Sequence, residues 1–311
     1  MVAGLLSQHL KKEQDMPGEA DALFSFLQEK TAEFMRSPAN DMELPDPEPL
    51  FGAPLLGVAT GDDPLWLRYR EEYIGAFHWT PLEAFRHAFP DAHNVSAGEL
   101  FVFVWILPQT RAAKRDNRRE KTYPAERWAR SRFFGESKIN EGLRIFLVAE
   151  LAQQGIQAVA PQMLPQWDRH TSERYGFASS WSERHAAYAA GLGTFGLCDG
   201  LITQAGKAVR VGSIVMRHAL PVSERPYTYH REYCLYFQDG SCAACAKRCP
   251  VGSVLAGGRD KMACRRHLQE CCAPYVEHSW RFKGYGCGLC QTGVPCESGI
   301  PQRKKAGKQD A

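Results

Sequence analysis

Cys242-Ala243-Ala244-Cys245-Ala246-Lys247-Arg248-Cys249-Pro250 is a C-x2-C-x3-C-P run, and its reading decides what kind of lobe closes the chain. It matches the last three cysteines of the bacterial ferredoxin signature, in which the cysteine before proline crosses over to a second iron–sulfur cluster. Cys287-Gly288-Leu289-Cys290 supplies a second C-x2-C, and Cys296 follows at a wider interval. Of the 11 cysteines only Cys198 lies outside the stretch from Cys234 to Cys296. The odd count, with no secretory signal before it, argues against disulfides. Zinc is the nearer rival, because paired C-x2-C units also bind zinc. The gap from Cys245 to Cys287 is far longer than the roughly 15–20 residues of a zinc ribbon, and Pro250 suits a ferredoxin.

Two [4Fe–4S] clusters need about eight thiolates. The crossover rule, with Cys234 and Cys264 placed only by order and count, assigns Cys234, Cys242, Cys245 and Cys296 to one cluster, and Cys249, Cys264, Cys287 and Cys290 to the other. The first cysteine of the front run would fall at Asp239, so Cys234 takes its place. Cys271 and Cys272 are adjacent and are set aside as spares.

Around this stretch lie 311 residues with 44% apolar composition, enough for a full core in two domains. A formal net charge of +3 does not by itself point to nucleic acid. No run reaches the ~18 apolar residues of a membrane span. With so many reduced thiols the expected compartment is the cytoplasm, and no membrane partner is expected.

Upstream, Leu23, Phe24, Leu27, Thr31, Phe34 and Met35 keep a helical period that Pro38 ends, and a proline-rich acidic connector follows. Residues 55–59 and 209–215 read as strands, and residues 100–107 as a strand buried on both faces. Residues 140–154 carry apolar side chains at helical spacing before Gly155. The alternation predicts an α+β chain with an N-terminal helix and connector over 1–54, a main domain over 55–230 and a cysteine-rich domain over 231–311. Residues 111–132 concentrate lysine and arginine, either as a solvated face or as a phosphate-contacting surface.

Gly191-Leu192-Gly193-Thr194-Phe195-Gly196 spells G-x-G-x-x-G, but in the wrong context for a dinucleotide fold. That fingerprint follows a strand and opens a helix. Here Ser180-Trp181-Ser182-Glu183 resembles a capping box, an alanine-rich helix runs into Gly191, and Leu201-Ile202-Thr203 is extended. Nicotinamide binding by a Rossmann turn is therefore rejected. Three glycines in six residues exceed what a helix cap needs and would let the backbone pass close to a flat ligand.

Glu183-Arg184-His185-Ala186-Ala187-Tyr188-Ala189-Ala190 with this glycine turn, then Leu201-Ile202, Val209-Arg210-Val211-Gly212 and the cysteine runs, resembles the epoxyqueuosine reductase family, relatives of the reductive dehalogenases. Ala129-Arg130-Ser131-Arg132 resembles that family's A-R-x-R segment, and the match covers roughly residues 100–300. The resemblance implies a nitroreductase-like corrinoid-binding domain followed by a ferredoxin-like domain with two [4Fe–4S] clusters. It implies a cobalamin cofactor lined by Gly191, Leu192, Gly193, Thr194, Phe195 and Gly196 and held by Arg210 and Gly212. It further implies electrons relayed by the clusters to cobalt for a reductive deoxygenation or elimination, with reduced ferredoxin or flavodoxin as donor. The alternative is an iron–sulfur electron carrier or reductive activator of another corrinoid protein.

Two departures bear on the substrate. The family's proton-donating aspartate falls at about Phe177, which carries no acidic proton; Glu183, Tyr175 and Cys198 are the replacement acids considered. The chain reaches Ala311 soon after the cysteines, so the tRNA-gripping helical repeats of the family are not expected, and tRNA or a small molecule remain the two substrate classes.

Overall fold

The computed structural model of the protein describes residues 18–172 and 176–303. Its centre is a four-stranded antiparallel sheet in the order β1-β2-β8-β3. These strands are β1 (Leu55–Thr60), β2 (Phe101–Pro108), β3 (Ala158–Val159) and β8 (Val209–Met216). In β2 the period of two sorts one continuous apolar run onto two faces. Val102, Val104 and Ile106 enter one core, while Phe103, Trp105 and Leu107 enter the other. Both faces must therefore be covered, and helices cover both.

On the Trp105 side pack α1 (Glu19–Arg36) and α6 (Glu141–Gln153), through Leu23, Leu27, Leu143, Leu147 and Leu151. Gly155 then closes α6 at a φ of +73°, which a side chain would resist. The opposite face carries α3 (Pro81–Ala88) and α7 (Glu183–Ala189). Thr80 and Glu83 form a capping box at the start of α3. In α7 the buried Ala186, Ala187 and Ala189 let the helix lie close on the sheet.

The short α2 (Leu65–Arg68) and a π turn over Tyr69–Tyr73 lie beside α7. The basic segment forms α4 (Arg111–Arg119) and α5 (Glu126–Phe134), the second running through a π turn into α6. Two further hairpins are β4 (Arg169–Ser172) with β5 (Gly176–Ser179), and β6 (Thr194–Phe195) with β7 (Leu201–Ile202). The cysteine-bearing segment has little regular structure: α8 (Leu235–Asp239), α9 (Ala244–Lys247), the pair β9 (Val254–Leu255) and β10 (Gly258–Arg259), α10 (Lys261–Arg266) and α11 (Ala273–Trp280).

This segment is fastened to the sheet by the basic helices. Asn117 donates to Cys287 O at 3.1 Å and to Thr292 Oγ1 at 3.0 Å. Arg118 Nε reaches Glu297 at 2.8 Å, and Arg248 returns hydrogen bonds to the carbonyls of Asn117 and Arg118. Arg127 pairs with Glu48 at 2.7 Å and Asp116 at 2.6 Å, and Arg130 with Glu126 at 2.9 Å. Much of the run that could have met phosphates is thus occupied inside the molecule.

Candidate functional site

A cavity of about 1080 Å³ opens between α7 and the cysteine-bearing segment. It slightly exceeds the roughly 300–1,000 Å³ of ordinary small-molecule pockets. One wall comes from Tyr69, Tyr73, Trp128, His185, Tyr188, Phe195 and Arg210; the facing wall includes Cys249, Cys264, His267, Cys287 and Cys290. The helical period of α7 does the sorting, since Ser182, His185 and Tyr188 meet the cavity while the alanines meet the sheet.

His185 packs edge-on to Tyr69 and tilted against Phe195, each with ring centroids 4.8 Å apart, and its Nδ1 lies 2.7 Å from Ser182 Oγ. Burial pushes its pKa well below the ordinary imidazole value, so it stays neutral. Burial lowers Arg210 to about 9, and its Nε is enclosed without a hydrogen-bond partner. Arg184 donates to the carbonyl of Asp199 at 3.1 Å. Asp199 is the only carboxylate among the described residues lining the cavity, and burial raises its pKa.

The thiols gather in two sets. Cys234, Cys242, Cys245 and Cys296 line one small pocket together with Lys207, while Cys249, Cys264, Cys287 and Cys290 line the large cavity. These are the two groups expected from the order of the cysteines. Asp239, at the place of the missing cysteine, instead accepts from Ser241 N at 2.9 Å and leaves the pocket to Cys234.

Cys198, expected as a lone thiol, is not alone. It hydrogen-bonds with Cys245 and Cys290, one from each set, and these contacts hold its pKa well below the thiol value. Lys207 Nζ donates to its sulfur at 3.3 Å. Cys272, set aside as a spare, is fully buried, and its Sγ lies with His267 Nε2 and Cys287 Sγ within 4.8 Å of one another. The Cys272 contact lowers Cys287 to about 6. Neither role was readable from spacing: Cys198 is far away in sequence, and Cys272 is presented by the π turn His267–Cys272, whose extra residue per turn shifts the helix face.

The other expected residues fall in several places. Glu183 does not close a capping box; Ser182 is the N-cap and makes no cap hydrogen bond. Its carboxylate is buried under α7, 3.1 Å from Arg144 and 2.5 Å from Ser213 Oγ, outside the cavity lining. That is a structural role in place of the expected acid. Tyr175 lies outside the described residues.

Phe195 and Arg210 line the cavity, whereas Gly191, Leu192, Gly193, Thr194, Gly196 and Gly212 are not in its lining. The close approaches that these glycines permit are to the chain itself. A Cβ on Gly191, whose φ is +75°, would meet Glu224 O at 2.1 Å; one on Gly193 would meet Ile202 O at 2.3 Å; and one on Gly212 would strike the Trp105 ring at 2.4 Å. Glycine is needed there for backbone to approach backbone at Gly191 and Gly193 and the Trp105 ring at Gly212, which letters alone do not separate from a ligand platform.

No family model and no curated protein matches the chain. Among solved structures it is similar to an epoxyqueuosine reductase from Bacillus subtilis, at 18% identity over 90% of this chain and 67% of that one, with a TM-score of 0.44. It is similar to an epoxyqueuosine reductase crystallised with a tRNA-Tyr stem loop, at 18% identity over 91% and 67%, TM-score 0.46. It is also similar to a B12-dependent reductive dehalogenase, at 12% identity over 79% of this chain and 30% of that one, TM-score 0.44.

Proposed function

We propose that the protein is a corrinoid- and iron–sulfur-dependent reductase of the epoxyqueuosine reductase type, with a nitroreductase-like part and a two-cluster ferredoxin-like part. One observation carries this reading: a single cavity has α7, Phe195 and Arg210 on one side and Cys249, Cys264, Cys287 and Cys290 on the other. The residues fit the groups. Each thiol set offers four soft donors, the ligand type of iron–sulfur clusters. The cavity is large and aromatic enough for a macrocycle, and the orphaned Nε of Arg210 offers it a donor.

When bound, the clusters supply single electrons and the corrinoid supplies reductive chemistry at cobalt. The chain's own part is binding, orientation and proton supply. Tyr188, His185 and Phe195 form the apolar floor, and Arg210 holds polar substituents at its edge. With Phe177 at the cavity wall, Asp199 is the carboxyl that the lining offers to hold and deliver a proton, and its raised pKa suits that task. Cys198 contacts Cys245 of one thiol set and Cys290 of the other, so clusters held by the two sets would lie close enough to pass on electrons supplied by a reduced ferredoxin or flavodoxin. No helix among the described residues is long and apolar enough to cross a membrane.

The test is anaerobic purification with added cobalamin, reading iron, cobalt and the visible spectrum. About eight irons per chain and a corrinoid spectrum altered on binding are expected. Iron without corrinoid uptake would leave the electron-carrier reading; zinc without iron would sink both.

A further inference from the structure

We infer that the substrate of this cavity is a small organic anion, recognised by Arg184, Lys261 and Arg265; the inference rests on the reductase reading above. The protein pairs arginines with carboxylates along α4 and α5, and among the cavity-lining residues it pairs Arg68 with Glu72, yet it leaves several other cavity cations without a salt bridge. Arg184, Arg210, Lys261 and Arg265 all line it, and none forms a salt bridge with a carboxylate among the described residues, although the Asp199 carboxylate acts electrostatically on Arg184 and Lys261. Asp199, the only lining carboxylate so described, offers Arg184 its backbone carbonyl.

The cations converge. Lys261 Nζ lies 3.1 Å from the carbonyl of Phe177, and the Arg265 guanidinium sits 4.8 Å from the centroid of the same ring. Arg184 acts electrostatically on both Lys261 and Arg210. Enclosed positive charges of this kind are costly unless an anion offsets them. The cysteine thiolates account for only part of this charge: Cys198 and Cys290 act on Arg184, while the thiols also have other cations, Arg259 donating to Cys264 and Lys207 to Cys198. Guanidinium and ammonium groups set around an open space are the usual means of holding carboxylate or phosphate oxygens. Phe177, between Lys261 and Arg265, gives such an anion an apolar surface for its carbon skeleton.

A corrinoid also carries a phosphate, so the experiment must separate the two sources. Inorganic pyrophosphate is titrated calorimetrically into the iron-loaded protein, with and without saturating cobalamin. Pyrophosphate binding that survives cobalamin saturation is expected, weakened about ten- to a hundredfold by Lys261→Met or Arg265→Met. Arg119→Met, a substitution at an exposed arginine on α4, should leave the affinity unchanged. Iron content and circular dichroism of the variants establish that they are folded. Binding abolished by cobalamin would assign the cations to the cofactor's phosphate and overturn the inference, as would equal affinity in wild type and both cavity variants. Failure of the protein to take up cobalamin is read separately in the visible spectrum; it defeats the corrinoid reading while the pyrophosphate titration still decides the anion site.

Discussion

Two parts of this molecule are rich in arginine, and they use it in opposite ways. Along α4 and α5, Arg118, Arg127 and Arg130 are matched to Glu297, Glu48 with Asp116, and Glu126. At the cavity, Arg184, Arg210 and Arg265 have no such partner among the described residues. The same side chain therefore serves as a rivet in one region and as an unsatisfied charge in the other. Arg118 ties the cysteine segment to α4, while Arg127 ties the basic helices to Glu48 and Asp116 and Arg130 pairs within α5; the cavity cations without a salt bridge are the ones free to meet a ligand.

The contrast can be broken most severely at Arg144, the most buried of the paired arginines, which bridges Glu136 and Glu183 with its side chain 1% exposed. Arg144→Met would strip the buried Glu183 and the partly buried Glu136 of the cation they share and should cost about 3–5 kcal/mol, read by urea unfolding. Undiminished stability in that variant would show that the pairing is incidental.

Acid should act on the cavity side. His78 stacks with Trp181 behind His185, near Glu83 and Arg70, and burial lowers its pKa to about 4. The unfolded chain takes up the proton near pH 6.5 and the folded chain only near 4, so the stability is complete above 6.5 and lost as pH falls through that window. Between pH 7.5 and 5 the loss from this group should be about 2 kcal/mol, and His78→Leu should flatten that part of the profile.

Smaller effects sharpen the comparison. Arg127→Ala, at a partly exposed pair, should cost roughly 1 kcal/mol or less. Arg265→Met should change stability least, and in the direction of a higher Tm, because it removes a charge from a crowded set of cations. A Tm that falls as far as in Arg127→Ala would mean that Arg265 is a rivet too.

Much of the scaffold was legible because periodicity reports burial. The run at 100–107 announced a strand covered on both faces, and β2 is one; the spacing at 140–154 announced α6, and Gly155 its end. The pairs Cys242 with Cys245 and Cys287 with Cys290 were also legible, since C-x2-C spacing keeps two sulfurs together, and each pair lines one pocket. Pro108, just beyond the run at 100–107, is still part of β2, where it pairs with Val209. Glu183 was legible as a charged residue at a helix start, but not as the buried partner of Arg144, which comes from a helix 39 residues earlier.

By itself, the sequence determined the alternation of strands and helices, the alanine face of α7 and the two C-x2-C pairs, because each depends on residues close together along the chain. Only the tertiary structure decided that the glycine turn packs on the chain itself, that Cys198 joins the two thiol sets, and that some arginines are paired while others face open space. Charge compensation and close approach are set by distances through space, and the partners concerned come from segments far apart in the chain.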